Sequence, residues 1–281
     1  MRIVCLVENT SRKGCLTEHG LSLYLETGEH KLLFDTGQSG IFLRNAHKLG
    51  VDLSAVDLAV ISHGHYDHGG GLEVFLSVND HAPVYMNEYA LERHCAGPGR
   101  DIGLDPGLAC HPRIRFSKDE ASLGEDLMLF TGNSNPRPFP ANSDGFTVIR
   151  DGEVFRDDFL HEQYLLIREG AQTFLISGCS HKGIRNVMHW MRHCPPDAVV
   201  GGFHLSNIPM DREGRQRLDE VADTLLEYPS VYYTCHCTGI PQYQYLKTRM
   251  RGQLEYLSAG DEWYETIKQE EIHERKLFPK L

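Results

Sequence analysis

Residues Ile61–Gly71 read Ile-Ser-His-Gly-His-Tyr-Asp-His-Gly-Gly-Gly, and the rest of the chain is best understood from them. His63, His65, Asp67 and His68 fall within six positions. The apolar run Leu58-Ala59-Val60-Ile61 precedes them and three glycines follow. The run reads as a buried strand, and the glycines permit a close-packed loop. Burying such polar groups without partners costs roughly 2–7 kcal/mol each. A divalent metal ion would satisfy all four together, because imidazole and carboxylate are common ligands of zinc and iron. The bland alternative is a solvated, histidine-rich loop.

Composition narrows what surrounds this loop. The 281 residues suffice for one large domain or two small ones with a substantial core. The formal charge is −11, from 39 acidic and 28 basic residues. That balance argues against a nucleic-acid surface, which needs clustered Lys and Arg, and against docking on anionic membranes. A small anionic substrate stays compatible, since a bound metal brings its own positive field. The apolar run Ile3–Val7 is too short for a signal core, and nothing later approaches the ~18 apolar residues of a spanning helix. The expected setting is cytoplasmic. There the eight cysteines are expected as free thiols, with one or two serving a metal.

Outward from the loop, periodicity predicts strands at Arg2–Glu8, Leu21–Glu26 and Lys31–Phe34, the last two joined by a turn at Thr27-Gly28. Asp35 stands at the tip of the third. Helical spacing covers Ile41–Leu49 and Leu72–Val78, a strand Pro83–Met86, and helix again Glu88–His94. From Ala96 to Arg150 the chain turns rich in Gly, Pro, Asn and Asp, which predicts an inserted small subdomain, 96–150, placed as a lid over the histidine loop. Strands resume at Gln163–Arg168, Thr173–Ile176, Ala198–Val200 and Val231–Thr234, with helices at Ile184–His193 and Arg215–Tyr228 and a polar helix and tail after them.

One regularity ties these pieces together. Four strands end in potential ligands: His63/His65, Cys179/His181, His204 and His236. Open α/β sheets build their sites beyond strand C-termini, so these tips are expected to converge. Cys235 and Cys237 flank His236 and are expected to pack rather than to ligate.

The run His63-Gly64-His65-Tyr66-Asp67-His68 resembles the signature of the metallo-β-lactamase superfamily, and Phe34-Asp35-Thr36-Gly37 strengthens the likeness. Glu18-His19-Gly20, Gly178-Cys179-Ser180-His181, Gly202-Phe203-His204 and His236-Cys237-Thr238-Gly239 are similar to its branch of dihydropterin–ribofuranosyl-aminobenzene-phosphate synthase-like proteins. The resemblance implies an α/β fold, an αββα sandwich of two mixed sheets flanked by helices, spanning 1–281 as one domain. It implies that His63 and His65 hold one metal and that Asp67 and His68 hold a second. The third-motif histidine falls best on His161, either as a ligand or as a residue supporting one from behind. The fourth motif falls on Gly178-Cys179-Ser180, where Cys179 replaces the family's bridging carboxylate and His181 competes as ligand. The fifth falls on His236, with His204 as its rival. Asp35 is expected to orient a ligand histidine from behind, and Glu18 and His19 to line the substrate pocket.

The expected chemistry is hydrolysis by hydroxide generated on one or two divalent ions, zinc first, with iron and manganese as alternatives. Asp67 is the expected catalytic residue, and a phosphoester-containing small molecule the expected substrate. A pterin/aminobenzoate–phosphoribosyl condensing synthase and a non-catalytic metal or ligand sensor are the alternatives.

Overall fold

A computed structural model describes residues 1–264. Its first half is built on alternating apolar strands. β1 (Arg2–Val7), β2 (Ser22–Glu26) and β3 (Lys31–Phe34) form an antiparallel meander. After α1 (Ile41–Leu49), β4 (Leu58–Val60) pairs parallel with β3. The short α2 (Tyr66–Gly69) and α3 (Leu72–Val78) lead to β5 (Val84–Asn87), parallel to β4.

Residues 88–92 form turns rather than the helix expected over Glu88–His94, because Arg93–Ala96 is drawn into a strand, β6, by long-range pairing with 146–149. Such pairing overrides local helical spacing. β7 (Arg100–Asp101) pairs back on β6. The chain then adds β8 (Ile114–Ser117) to the first sheet and crosses to the second through β9 (Glu120–Ser122) and β10 (Leu127–Phe130). β11 (Phe146–Arg150) and β12 (Glu153–Arg156) complete a small third sheet, ordered β12-β11-β6-β7. The stretch 96–150 therefore feeds three sheets.

The second half mirrors the first. β13 (Tyr164–Glu169) and β14 (Gln172–Ile176) are antiparallel, and α4 (Ile184–Trp190) follows. Next come β15 (Ala198–Gly201), α5 (Arg212–Leu226), β16 (Val231–Thr234), α6 (Ile240–Met250), β17 (Leu254–Tyr256) and β18 (Glu262–Tyr264). The two large sheets run β18-β1-β2-β3-β4-β5-β8 and β17-β16-β15-β14-β13-β10-β9. Both are mixed. β17 and β18 escape sequence reading because each is a three-residue strand on a sheet edge.

Alternation sorts each strand between two cores. Ile3, Cys5, Leu32 and Phe34 face Leu165, Ile167, Phe174 and Ile176 across the sheet interface. Val4, Leu6 and Leu33 turn outward to Phe42, Ala46, Leu72 and Phe75 of α1 and α3. Leu166, Leu175 and Val199 turn the other way, onto Val187, Leu218, Val221 and Leu246 of α4, α5 and α6. Helix, sheet, sheet, helix is the layering, an αββα sandwich. No helix of the described residues is long and apolar enough to cross a membrane.

Candidate metal centre

The loops after β3, β4, β14, β15 and β16 meet at one end of the sandwich and bring the expected strand tips together. Asp35, Ser180, His204 and His236 all adopt left-handed backbone there, with φ of 59°, 56°, 51° and 48°. Such conformations cost non-glycine residues roughly 1–3 kcal/mol each and persist where packing over-determines them. Ligand atoms cluster within 4.8 Å of one another in the groups His63/Cys179/His181, His68/Cys179/His236 and His19/Asp67/His236. Cys179 is common to the first two.

A neutral imidazole has one lone pair, so the partner behind each ring decides which nitrogen can take a metal. Asp35 accepts from Ser62 N at 2.7 Å and Ser62 Oγ at 2.7 Å, and its Oδ2 lies 2.6 Å from His68 Nδ1. Because the Ser62 hydroxyl proton goes to Asp35, Ser62 Oγ is left to accept from His63 Nδ1 at 2.8 Å. One buried carboxylate thus fixes protons on Nδ1 of two histidines. The Nε2 atoms point inward: that of His68 lies 3.1 Å from Cys179 Sγ, and that of His63 is buried without a partner. Ser143 does the same for His181. Its hydroxyl donates to His181 O at 2.7 Å and lies 3.5 Å from Nδ1, leaving Nε2 buried and unpartnered. His65 Nε2 is also buried and unpartnered.

His161 has the opposite tautomer. Its Nδ1 accepts from Gly64 N at 2.8 Å, so Nε2 carries the proton and faces Asp157 at 3.5 Å. The ring holds the His63–His65 backbone from behind, and His181 stands beside the rings of His63 and His65, each at a centroid distance of 4.9 Å. His94 and Asp157, joined at 2.8 Å, support His161, and the two histidine rings lie tilted at 30° with centroids 3.8 Å apart.

Electrostatics agrees with the hydrogen bonds. Burial and the neighbouring rings push His63, His65 and His181 well below the usual histidine range, so they are neutral, the form that binds metals. Burial opposes charge on His68 too, but Asp35 and Asp67 overcome it and raise the pKa to about 9. A metal binding at His68 Nε2 would displace a proton. Burial would raise Asp67, yet the charge on His68 and the hydrogen bond from His19 hold it well below the ordinary carboxylate value. Burial pushes the Cys179 thiol well up.

Several residues that position the site were not singled out in the sequence. Glu8 accepts from His236 N at 2.7 Å and Tyr256 Oη at 2.6 Å. Glu162 accepts from His181 N at 2.6 Å and Lys182 N at 3.0 Å, fixing the loop after β14. Asn9 touches His236 at 2.8 Å. Glu8 and Asn9 lie just past β1, so the strand-tip rule would have found them; Asp157 had no local signal. Glu18 does not turn into the pocket: its carboxylate accepts from Gln38 N, Ser39 N and Ser39 Oγ at 2.9, 3.0 and 2.5 Å. His19 is exposed beside Asp67, with Nε2 at 3.2 Å from Oδ2. Cys235 packs between the sheets, whereas Cys237 faces the centre with Cys179 and His204, all three ligand atoms within 4.8 Å. Cys237 is turned that way because the loop leaves β16 at Cys235 and the left-handed turn at His236 redirects the next sulfur. Both ring nitrogens of His204 are buried and unpartnered.

The small third sheet closes one side. Phe146 lies parallel to His65 at 5.6 Å and edge-on to His181 at 5.2 Å, while Phe159 stacks on His181 at 4.4 Å.

Two mixed sheets between helices, with imidazole, carboxylate and thiol groups gathered at one end, define an αββα protein with a candidate metal centre. The chain belongs to the metallo-β-lactamase superfamily, whose model matches residues 17–164. It is 29% identical over 246 residues to an uncharacterized protein of Methanocaldococcus jannaschii, covering 84% of this chain and 90% of the relative. A second relative from that organism, 7,8-dihydropterin-6-methyl-4-(β-D-ribofuranosyl)-aminobenzene-5′-phosphate synthase, is 26% identical over 273 residues, with coverage of 87% and 89%. A crystal structure described as a metal-dependent hydrolase of the β-lactamase superfamily superposes with TM-score 0.81 at 30% identity, covering 95% of this chain and all of the other. The superfamily binds divalent metals, and the donor set here fits one.

Proposed function

We propose that this protein is a metal-dependent hydrolase of a phosphoester-containing small molecule. The observation that carries the reading is the set of inward Nε2 atoms on His63, His68 and His181, each with its Nδ1 hydrogen-bonded from behind, around Cys179. In this reading His63, His65 and His181 would hold one ion and Asp67, His68 and His236 a second, with Cys179 near enough to both sets to serve as a further ligand. Imidazole with thiolate favours zinc or iron over manganese. A divalent ion bound there supplies Lewis acidity and a water acidic enough to ionise near neutral pH.

The protein's own groups do the rest. Asp67, ionised and 3.3 Å from His236 Nε2, orients the attacking water and takes up its hydrogen bond. Asp35, Ser62 and Ser143 keep the imidazoles turned inward. Phe146 and Phe159 keep bulk water off His65 and His181. The phosphoester preference rests on charge. A chain carrying −11 repels an anionic group at long range, bound ions would offset that repulsion, and phosphoryl oxygens use two adjacent positive centres well. All eight cysteines are free, which suits a reducing, cytoplasmic setting, and the acidity suits a small-molecule rather than a nucleic-acid partner.

The test is hydrolysis by zinc-loaded protein of a phosphodiester, a lactone and a thioester with the same chromophore. The phosphodiester should be turned over fastest. Turnover of the lactone or thioester alone would overturn the substrate class. The similarity to the synthase favours a second reading, condensation of an aminobenzoate or pterin piece with a phosphorylated sugar. Product formation from such a pair, without phosphodiester hydrolysis, would establish it instead.

A further inference from the structure

His19 and His236 both approach Asp67 Oδ2 as two members of one candidate ligand group, yet a single amide treats them differently. Asn9 Oδ1 receives Gly20 N at 3.4 Å and faces His236 Nδ1 at 2.8 Å. The backbone N–H of Gly20 can only donate, so that end of the amide is the oxygen, and His236 must carry its proton on Nδ1. The other end, Asn9 Nδ2, faces His19 Nδ1 at 3.4 Å. An NH₂ group can only donate, so His19 Nδ1 holds the lone pair and its proton sits on Nε2.

The consequences for the two rings are opposite. His236 presents a lone pair at Nε2, 3.3 Å from Asp67 Oδ2 and buried without a hydrogen-bond partner. His19 presents an N–H at Nε2, 3.2 Å from the same oxygen, with 57% of its side chain exposed at the mouth of the centre. For His19 to bind a metal through Nε2, its proton would have to move to Nδ1, against the Asn9 NH₂. Gly20 keeps His19 in this seat. A Cβ on Gly20 would lie 2.5 Å from Asp67 O, so only glycine lets this segment rest on the Asp67 backbone.

Resting on the metal-centre reading above, we infer that Asn9 is a positioning residue that sorts this pair, making His236 a metal ligand and His19 a hydrogen-bond donor that never ligates. The His19 N–H is the group at the mouth available to an anionic oxygen of the substrate, and Asn9 holds it there.

The experiment is long-range proton–nitrogen NMR of the histidine rings in the zinc-loaded protein, with resonances assigned by loss in His19→Gln and His236→Gln. His236 should show a protonated Nδ1 and a zinc-shifted Nε2, and His19 a protonated Nε2 with no zinc shift. Asn9→Asp should keep His236 unchanged, because a carboxylate still accepts from Nδ1, but switch His19 to the Nδ1-protonated tautomer. Asn9→Ala should release both. His19→Gln should leave zinc stoichiometry unchanged. A zinc-shifted His19, or a His19 tautomer that ignores Asn9→Asp, would overturn the inference. If no histidine responds to zinc, the metal-centre reading fails, and with it the ligand role of His236. The two tautomers in the wild-type spectrum still test the sorting by Asn9, whatever the variants do.

Discussion

The carboxylate of Asp35 stands 2.6 Å from Nδ1 of His68, and both side chains are wholly buried. Through Ser62 the same carboxylate reaches His63, so one residue with no lone pair aimed at the centre orients two residues that have one. Asp35→Asn puts an NH₂ or a weaker acceptor against His68 and breaks that control. Zinc affinity, measured by competition with a chromophoric chelator, should fall about 10–100-fold while the fold is retained. Unchanged affinity would show that Asp35 orients nothing.

Cys179 Sγ lies 3.1 Å from His68 Nε2 and shares a ligand-distance group with His63 and His181. X-ray absorption at the zinc edge should therefore detect sulfur at about 2.3 Å in the wild type. In Cys179→Ser that signal should drop. Cys179→Asp, which restores a carboxylate, should bind zinc more tightly than the serine variant. Equal affinity of the two would argue against a ligand role at this position.

Gly64 separates two of the histidines, and a Cβ there would meet Ala90 O at 2.1 Å, a backbone atom that cannot swing aside. Gly64→Ala should displace the loop and break the 2.8 Å bond from Gly64 N to His161. The expected loss is about 1–3 kcal/mol in urea unfolding, together with weakened zinc binding. A wild-type melting curve would contradict this account of the loop.

Asp157 is buried, which alone would raise its pKa, but hydrogen bonds with His161 and His94 hold it well below the normal carboxylate range. The unfolded chain titrates an aspartate near 3.9, higher than the folded one. The stabilisation is therefore complete above about pH 5 and is lost as pH falls through the unfolded value toward the native one. In chelator-treated protein, Asp157→Asn should cost roughly 3 kcal/mol at pH 7 and progressively less below pH 4. A cost that stays constant down to pH 3 would rule out an ionised Asp157 held by these hydrogen bonds.

Much of this architecture was legible before any coordinates. Apolar runs marked strands such as Arg2–Val7, and the glycine-flanked histidine loop pointed to a metal. Long-range pairing was not legible: Arg93–Ala96 has helical spacing but is claimed by β11. The choice between ligand and supporting role for His161 and His181 was left open, because each depends on a hydrogen bond with a residue distant in sequence, Gly64 for one and Ser143 for the other. Sequence reports which side chains can ligate, while the partner behind each ring decides which do.

The most direct test of the central claim is phosphodiester hydrolysis measured as zinc is removed and restored, in the wild type and in Asp67→Ala/His68→Ala. Turnover should disappear with chelation, return in proportion to bound zinc, and be absent from the double variant at any zinc concentration. Hydrolysis that survives chelation, or that the double variant retains, would contradict it.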